Sequence, residues 1–142
     1  MYLINWRNFI NFKNNTSSKE KNLNRTKDLV FQVAKLAEDK KAEDTEILDI
    51  TKIADIADFV IITSAQTPPQ LKAIASHIED SLTKLGMEPA HKEGKYGDKW
   101  FLLDYIDFVV HVIQTDAREF YNLEELWARA AFVSPAEWSD FH

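Results

Sequence analysis

From Thr26 to about Lys41 apolar side chains recur every three or four residues, at Leu29, Val30, Val33, Leu36 and Ala37. That spacing predicts a helix with one apolar face, with Thr26 as its N-cap and Asp28 suited to the dipole of the first turn. Glu46 to Ile50 reads as a short strand. Asp58 to Ser64, with a continuous run rich in β-branched residues, reads as a second strand buried on both faces. Between them, Lys52 to Ala57 is expected to form a helical turn.

Thr67-Pro-Pro-Gln70 opens the clearest helix. A Thr cap, Pro in the first turn and Gln in the capping-box position all favour initiation there. Leu71, Ile74, Ala75, Ile78, Leu82 and Leu85 follow at helical spacing, and Gly86 supplies a left-handed stop. Gly94 and Gly97 bracket a turn, after which Trp100 to Asp104 and Phe108 to Ile113 are expected as neighbouring strands joined at Tyr105-Ile106. Asn122 and Glu125 make a second capping box, for a last helix whose buried stripe is Leu123, Leu126, Trp127, Ala130 and Ala131. Strand, crossover helix and further strands in that order imply an α/β layer with at least one parallel strand pair.

A chain of 142 residues with 45% hydrophobic composition is long enough to bury one core. It has no cysteine, so disulfides, thiolate catalysis and Cys-bound zinc are excluded. Charge is unevenly distributed. Residues 1–22 carry four cationic side chains against Glu20 alone, a net of +3, while the remainder carries 13 Lys+Arg against 22 Asp+Glu, a net of −9. A body this acidic is a poor general ligand for nucleic acid, whose phosphates call for cations, and is drawn instead to a basic protein surface. The Asn-, Ser- and Lys-rich start is expected to be a flexible or weakly helical extension, residues 1–22, ahead of a folded domain at 23–132 and a C-terminal tail at 133–142. It lacks the features of a secretory signal; an organelle transit peptide is the lesser alternative, favoured by the absence of acidic residues before Glu20 and opposed by the scarcity of arginine.

The candidate chemistry is sparse. Asp104 and Asp107 at the ends of a hairpin have the composition of an acid/base pair or a divalent-metal site. Aspartates flanking a tight turn also bond backbone amides, and that is the favoured reading. His111, inside an apolar strand, is expected to be a hydrogen-bonded structural histidine rather than a general base. Asp55 and Asp58 suggest a nucleotidyltransferase pair, but no Gly-Ser dipeptide precedes them, so they are read as flanking the strand at Phe59. His77, His91, His111 and His142 lack zinc spacing, and three glycines cannot build a phosphate loop. What stands out is an aromatic cluster, Trp100, Tyr105, Phe120, Tyr121 and Trp127, of the kind interfaces use as anchors. Core packing competes for these side chains, and Phe120 and Trp127 are expected in the core.

Four segments carry a family resemblance: Asp58-Phe-Val-Ile-Ile-Thr, Gln70-Leu-Lys-Ala-Ile-Ala, Trp100-Phe-Leu-Leu-Asp-Tyr-Ile-Asp-Phe-Val-Val-His111 and Arg118-Glu-Phe-Tyr-Asn-Leu-Glu-Glu-Leu-Trp127. From about Thr26 to Ala131 the chain resembles the ribosomal silencing factors, also called the Iojap family. The resemblance implies an α/β (α+β) single domain, a mixed β-sheet flanked by helices in a nucleotidyltransferase-like topology without the active site, and a non-enzymatic translation repressor without cofactor or metal, cytoplasmic, with an organelle as the minority alternative because of the N-terminal extension. It implies docking on the large ribosomal subunit through that subunit's protein fourteen, which obstructs joining of the small subunit, and a homodimer when free. Partner contacts are implied at Trp100, Leu102, Asp104, Tyr105 and Asp107, with His111, Arg118, Tyr121 and Trp127 supporting them or the fold. The alternatives are a metal-dependent nucleotide-processing enzyme and an adaptor for another protein. In one respect the sequence departs from the family pattern, with Ile106 where Gly is usual in the hairpin turn. A β-branched residue at positive φ is strained, so a turn without positive φ is expected there.

Overall fold

The computed structural model describes residues 16–95, 97–121, 125 and 130–138. Its first helix, α1 (Thr16–Asp39), begins ten residues before the expected cap. No Gly or Pro interrupts this stretch, so nothing stops the helix from extending upstream of the amphipathic part. Thr26 is therefore an interior helical residue, buried with Val30, Val33, Ala34 and Ala37 along the face turned to the sheet. The helix ends in a Schellman motif: Ala42 N–H donates to the Ala37 carbonyl (3.1 Å) and Lys41 N–H to that of Glu38 (2.8 Å), with Lys41 left-handed at φ 61°.

Strand β1 (Glu43–Asp49) leads through a turn at residues 50–54, closed by Ala54 N–H on the Ile50 carbonyl, into β2 (Phe59–Ala65); the turn lies earlier than the helical turn expected at Lys52–Ala57, and no helix forms there. All seven residues of β2 are buried. Thr67 caps α2 (Pro68–Lys84), its side chain accepting from Gln70 N–H, and Gly86 at φ 84° ends the helix in a second Schellman motif. The Gln70 side chain also donates to the carbonyls of Lys40 and Lys41, so the start of α2 satisfies the end of α1. Then come β3 (His91–Glu93), β4 (Trp100–Asp104), β5 (Phe108–Gln114), α3 (Thr115–Tyr121), β6 (Ala131–Val133) and a single turn α4 (Pro135–Trp138).

The strands form one mixed sheet in the order β3-β4-β5-β2-β1-β6. Its centre is the parallel pair β2–β5, in unbroken register from Phe59 opposite Phe108 to Ala65 opposite Gln114; the other pairings are antiparallel. Helices α1 and α2 cover one face, packing Val30, Val33, Leu71, Ile74 and Ile78 on Ile47, Ile61, Phe108, Val110 and Val112. Val133 and Trp138 belong to the same core, so the segment expected to be a C-terminal tail completes it. The opposite face carries a smaller cluster of Leu48, Ile50, Ala57, Val60, Ile62 and Ile113. The last helix expected from Asn122 falls largely outside the described residues.

Ile74 is fully buried under α2. Ile74→Ala is expected to destabilise the fold by about 2–5 kcal/mol through lost transfer energy and the cavity left behind. Urea unfolding measures this, and a cost under about 1 kcal/mol would mean that α2 packs loosely.

Candidate functional site

The β4–β5 hairpin places the candidate residues, and its register sorts them. Trp100 pairs with Ile113, Leu102 with His111 and Asp104 with Val109. Paired residues share a face, so these six look away from α1 and α2. Trp100, Leu102, Val109 and His111 are each only partly buried, whereas Phe101, Leu103, Val110 and Val112, pointing the other way, are buried. A half-open strip of one indole, one imidazole and two aliphatic side chains thus lies on the face that the two long helices leave uncovered. Val109 was not among the residues singled out from sequence; only the cross-strand register brings it beside Asp104.

Within the strip Trp100 Nε1–H donates to His111 Nδ1 at 3.0 Å, the rings tilted 56° with centroids 5.7 Å apart. His111 is therefore hydrogen-bonded, as a structural histidine should be. Burial lowers its pKa from the ordinary 6.5 to about 4. The indole bond acts in the same direction, because it uses the lone pair that a proton would take. Gly94 helps set the start of β4. At φ 107°, it passes so close that a Cβ would lie 2.7 Å from the Trp100 carbonyl oxygen and 2.8 Å from the Phe101 ring. Only glycine fits.

The other sites expected to contact a partner divide. Asp104 is on the strip's face but only 8% exposed, and its Oδ1 accepts from Ile106 N–H at 2.8 Å, the turn-fixing role expected of it. Asp107 is half-buried, and its carbonyl accepts from Asp58 N–H at 2.8 Å, fastening the hairpin to the start of β2. Tyr105 belongs to the opposite side: 5% exposed, it stacks on Phe108 with centroids 5.1 Å apart, inside the helix-covered core. Burial, and then the carboxylates of Glu79 and Glu88, push its phenol pKa up. A contact role for its ring is corrected accordingly: alternation along the strand sends Tyr105 to the face opposite Asp104.

The turn expectation fails as well. Ile106 has φ 75°, and Asp107 N–H donates to the Tyr105 carbonyl at 2.9 Å, which is a γ-turn centred on a β-branched residue. The hairpin tolerates it because the flanking bonds over-determine the turn: Asp104 Oδ1 holds Ile106 N–H, and Tyr105 N–H reaches the Phe108 carbonyl at 2.9 Å.

Among the supporting residues, Arg118 is 8% exposed on α3 and donates to the Asp44 carbonyl and, at 2.9 Å, to Ser64 Oγ, with Glu46 Oε2 3.3 Å away. It pins α3 to β1 and β2. Tyr121 ends α3, and Trp127 lies outside the described residues. Phe120, expected in the core, is 81% exposed. Beside Trp100 a groove of about 300 Å³ is lined by Asp98, Lys99 and Ala117, its rim held by the Lys99–Asp116 ion pair at 3.0 Å. Among the described residues no three His, Asp or Glu side chains gather as metal ligands do.

A mixed six-stranded sheet with two long helices on one face and a half-open aromatic strip on the other defines a mixed α+β domain. The family model described as "Ribosomal silencing factor during starvation" matches residues 23–141, and the chain belongs to that family. A ribosomal silencing factor of Bacillus subtilis is 38% identical over 104 residues, 73% of this chain and 88% of the relative. A crystal structure from Chromobacterium violaceum superposes with a TM-score of 0.69 at 28% identity, over 72% of this chain and 85% of the other. One from Bacillus halodurans does so with a TM-score of 0.65 at 35% identity, over 74% and 96%.

Two outcomes are expected. Ile106→Gly removes backbone strain of about 1–3 kcal/mol, partly offset by the greater freedom of glycine in the unfolded chain, for a net gain of about 1 kcal/mol; a lower urea midpoint would contradict it. For His111 the unfolded chain takes up a proton near pH 6.5 and the folded chain only near pH 4. Its contribution to stability is thus complete above about pH 6.5 and is lost on acidification to pH 4, by on the order of 3 kcal/mol. Urea titrations from pH 7.5 to 4 on the wild type and His111→Gln should diverge in that window; parallel curves would show that His111 is not held neutral.

Proposed function

We propose that this chain is a translation repressor that docks on the large ribosomal subunit, through that subunit's protein fourteen, and sterically prevents the small subunit from joining. Membership of the silencing-factor family supports the ribosome as partner. The half-open strip of Trp100, Leu102, Val109 and His111 supports docking through the sheet face, because an aromatic anchor with aliphatic neighbours is what an interface centre requires. The net charge of −9 beyond residue 22 favours a basic protein over bare RNA. Of the residues singled out from sequence, Trp100 and Leu102 are the proposed contacts. Asp104 and Asp107 shape the hairpin that presents them, and Arg118 holds the neighbouring helix.

On this reading the chain acts by occupying space and turns over no substrate. It works in the cytoplasm, with an organelle as the lesser alternative, and is a homodimer when free. Among the described residues no helix is long and apolar enough to cross a membrane.

In a sucrose gradient the protein is expected to travel with free large subunits and not with joined ribosomes. Trp100→Ala should weaken that association by about 2 kcal/mol or more while the variant stays folded. A protein that remains at the top of the gradient would refute the proposal. Heat on titration with magnesium and a nucleotide would favour the enzymatic alternative.

A further inference from the structure

Trp100 and His111 occupy diagonal positions across β4 and β5, and their bond has a direction. The indole nitrogen only donates, so His111 Nδ1 must accept, and the ring's proton is confined to Nε2. His111 is only partly buried, and among the described residues its Nε2 has no hydrogen-bond partner. His111 sits directly opposite Leu102, in the middle of the half-open strip. A largely apolar, half-open surface with one N–H donor at its centre differs from a bare hydrophobic patch, because it rejects any occupant that leaves that donor dry and unpaired.

We infer that His111 is itself a docking contact, whose Nε2–H, fixed in that tautomer by Trp100, donates to an uncharged or anionic oxygen of the protein partner, a main-chain carbonyl or a carboxylate. The inference rests on the docking face proposed above and adds to it a polar recognition element. Trp100 then has two tasks, to fill space and to lock its neighbour's tautomer. A partner surface lacking an acceptor opposite His111 is excluded even where its shape fits. Glutamine has an acceptor and a donor on one planar group and can imitate the imidazole's two bonds, whereas leucine supplies neither.

Two measurements test this. Nitrogen-15 NMR of the free protein at pH 7 should show His111 neutral and protonated at Nε2, and Trp100→Phe, which removes the indole donor, should let the second tautomer appear. Titrated into purified large subunits, His111→Leu should bind at least tenfold more weakly than the wild type, and His111→Gln within about threefold of it. The inference is overturned by an Nδ1-protonated ring, by His111→Leu binding as well as the wild type, or by His111→Gln binding as poorly as His111→Leu. Wild-type protein that does not bind the subunits at all removes the docking proposal itself. Binding by wild type and His111→Leu alike removes only the role of His111.

Discussion

The parallel pairing of β2 with β5 is the contact on which the rest of the molecule depends. Seven successive residue pairs join the two strands. Parallel strands cannot be linked by a tight turn, so the chain between them must travel out and back. That excursion is α2, which seals one face of the sheet, followed by β3 and β4, which extend its edge. Among the described residues, covering one face so completely leaves the other to shorter elements, the 50–57 segment and α3. At the β4–β5 end that cover is incomplete. The candidate surface is thus a consequence of topology, the part of the sheet that the crossover cannot shield.

How that surface is held follows from the hairpin. Its tip is fixed by backbone and carboxylate bonds around a strained Ile106, and Asp107 ties it to the base of β2. The strip's shape is therefore coupled to the central strand pair. At the other end of the hairpin, Gly94 lets the chain run against the Trp100 carbonyl. Arg118 fixes α3 near the groove beside Trp100 by neutralising Glu46 and bonding Ser64 and the Asp44 carbonyl. A buried guanidinium needs such partners, since an unpaired charge there costs several kcal/mol. Rigid support of this kind lets a few half-exposed side chains serve as a surface with a defined form.

Much of this was legible in the residues. Continuous burial of the strand through Ser64, the Thr67 cap, the Gly86 stop and the adjacency of β4 and β5 follow from local rules that no tertiary contact overrides. The early start of α1 was hidden because Thr26 has the chemistry of a cap, and only packing shows it buried within the helix. Ile106 was misjudged because steric preference speaks for a single residue, while the γ-turn is imposed by bonds to its neighbours. For the candidate surface, composition picked out the aromatic residues without showing their faces. Alternation alone separates Tyr105 from Asp104, but the role of Val109 and the bond from Trp100 to His111 require the register of two strands. Phe120, apolar and helical, looked like core and is exposed, because the face of α3 that packs is set by Arg118 and Ala117.

The central claim is that the sheet face opposite α1 and α2 meets a protein of the large ribosomal subunit. A photoreactive amino acid at Leu102, with a second variant carrying it at Lys72 on the helical side, tests this most directly when each is irradiated with purified large subunits. The account predicts one cross-linked ribosomal protein from position 102 and none from position 72. Cross-links from position 72 alone, or from position 102 to ribosomal RNA, would contradict it.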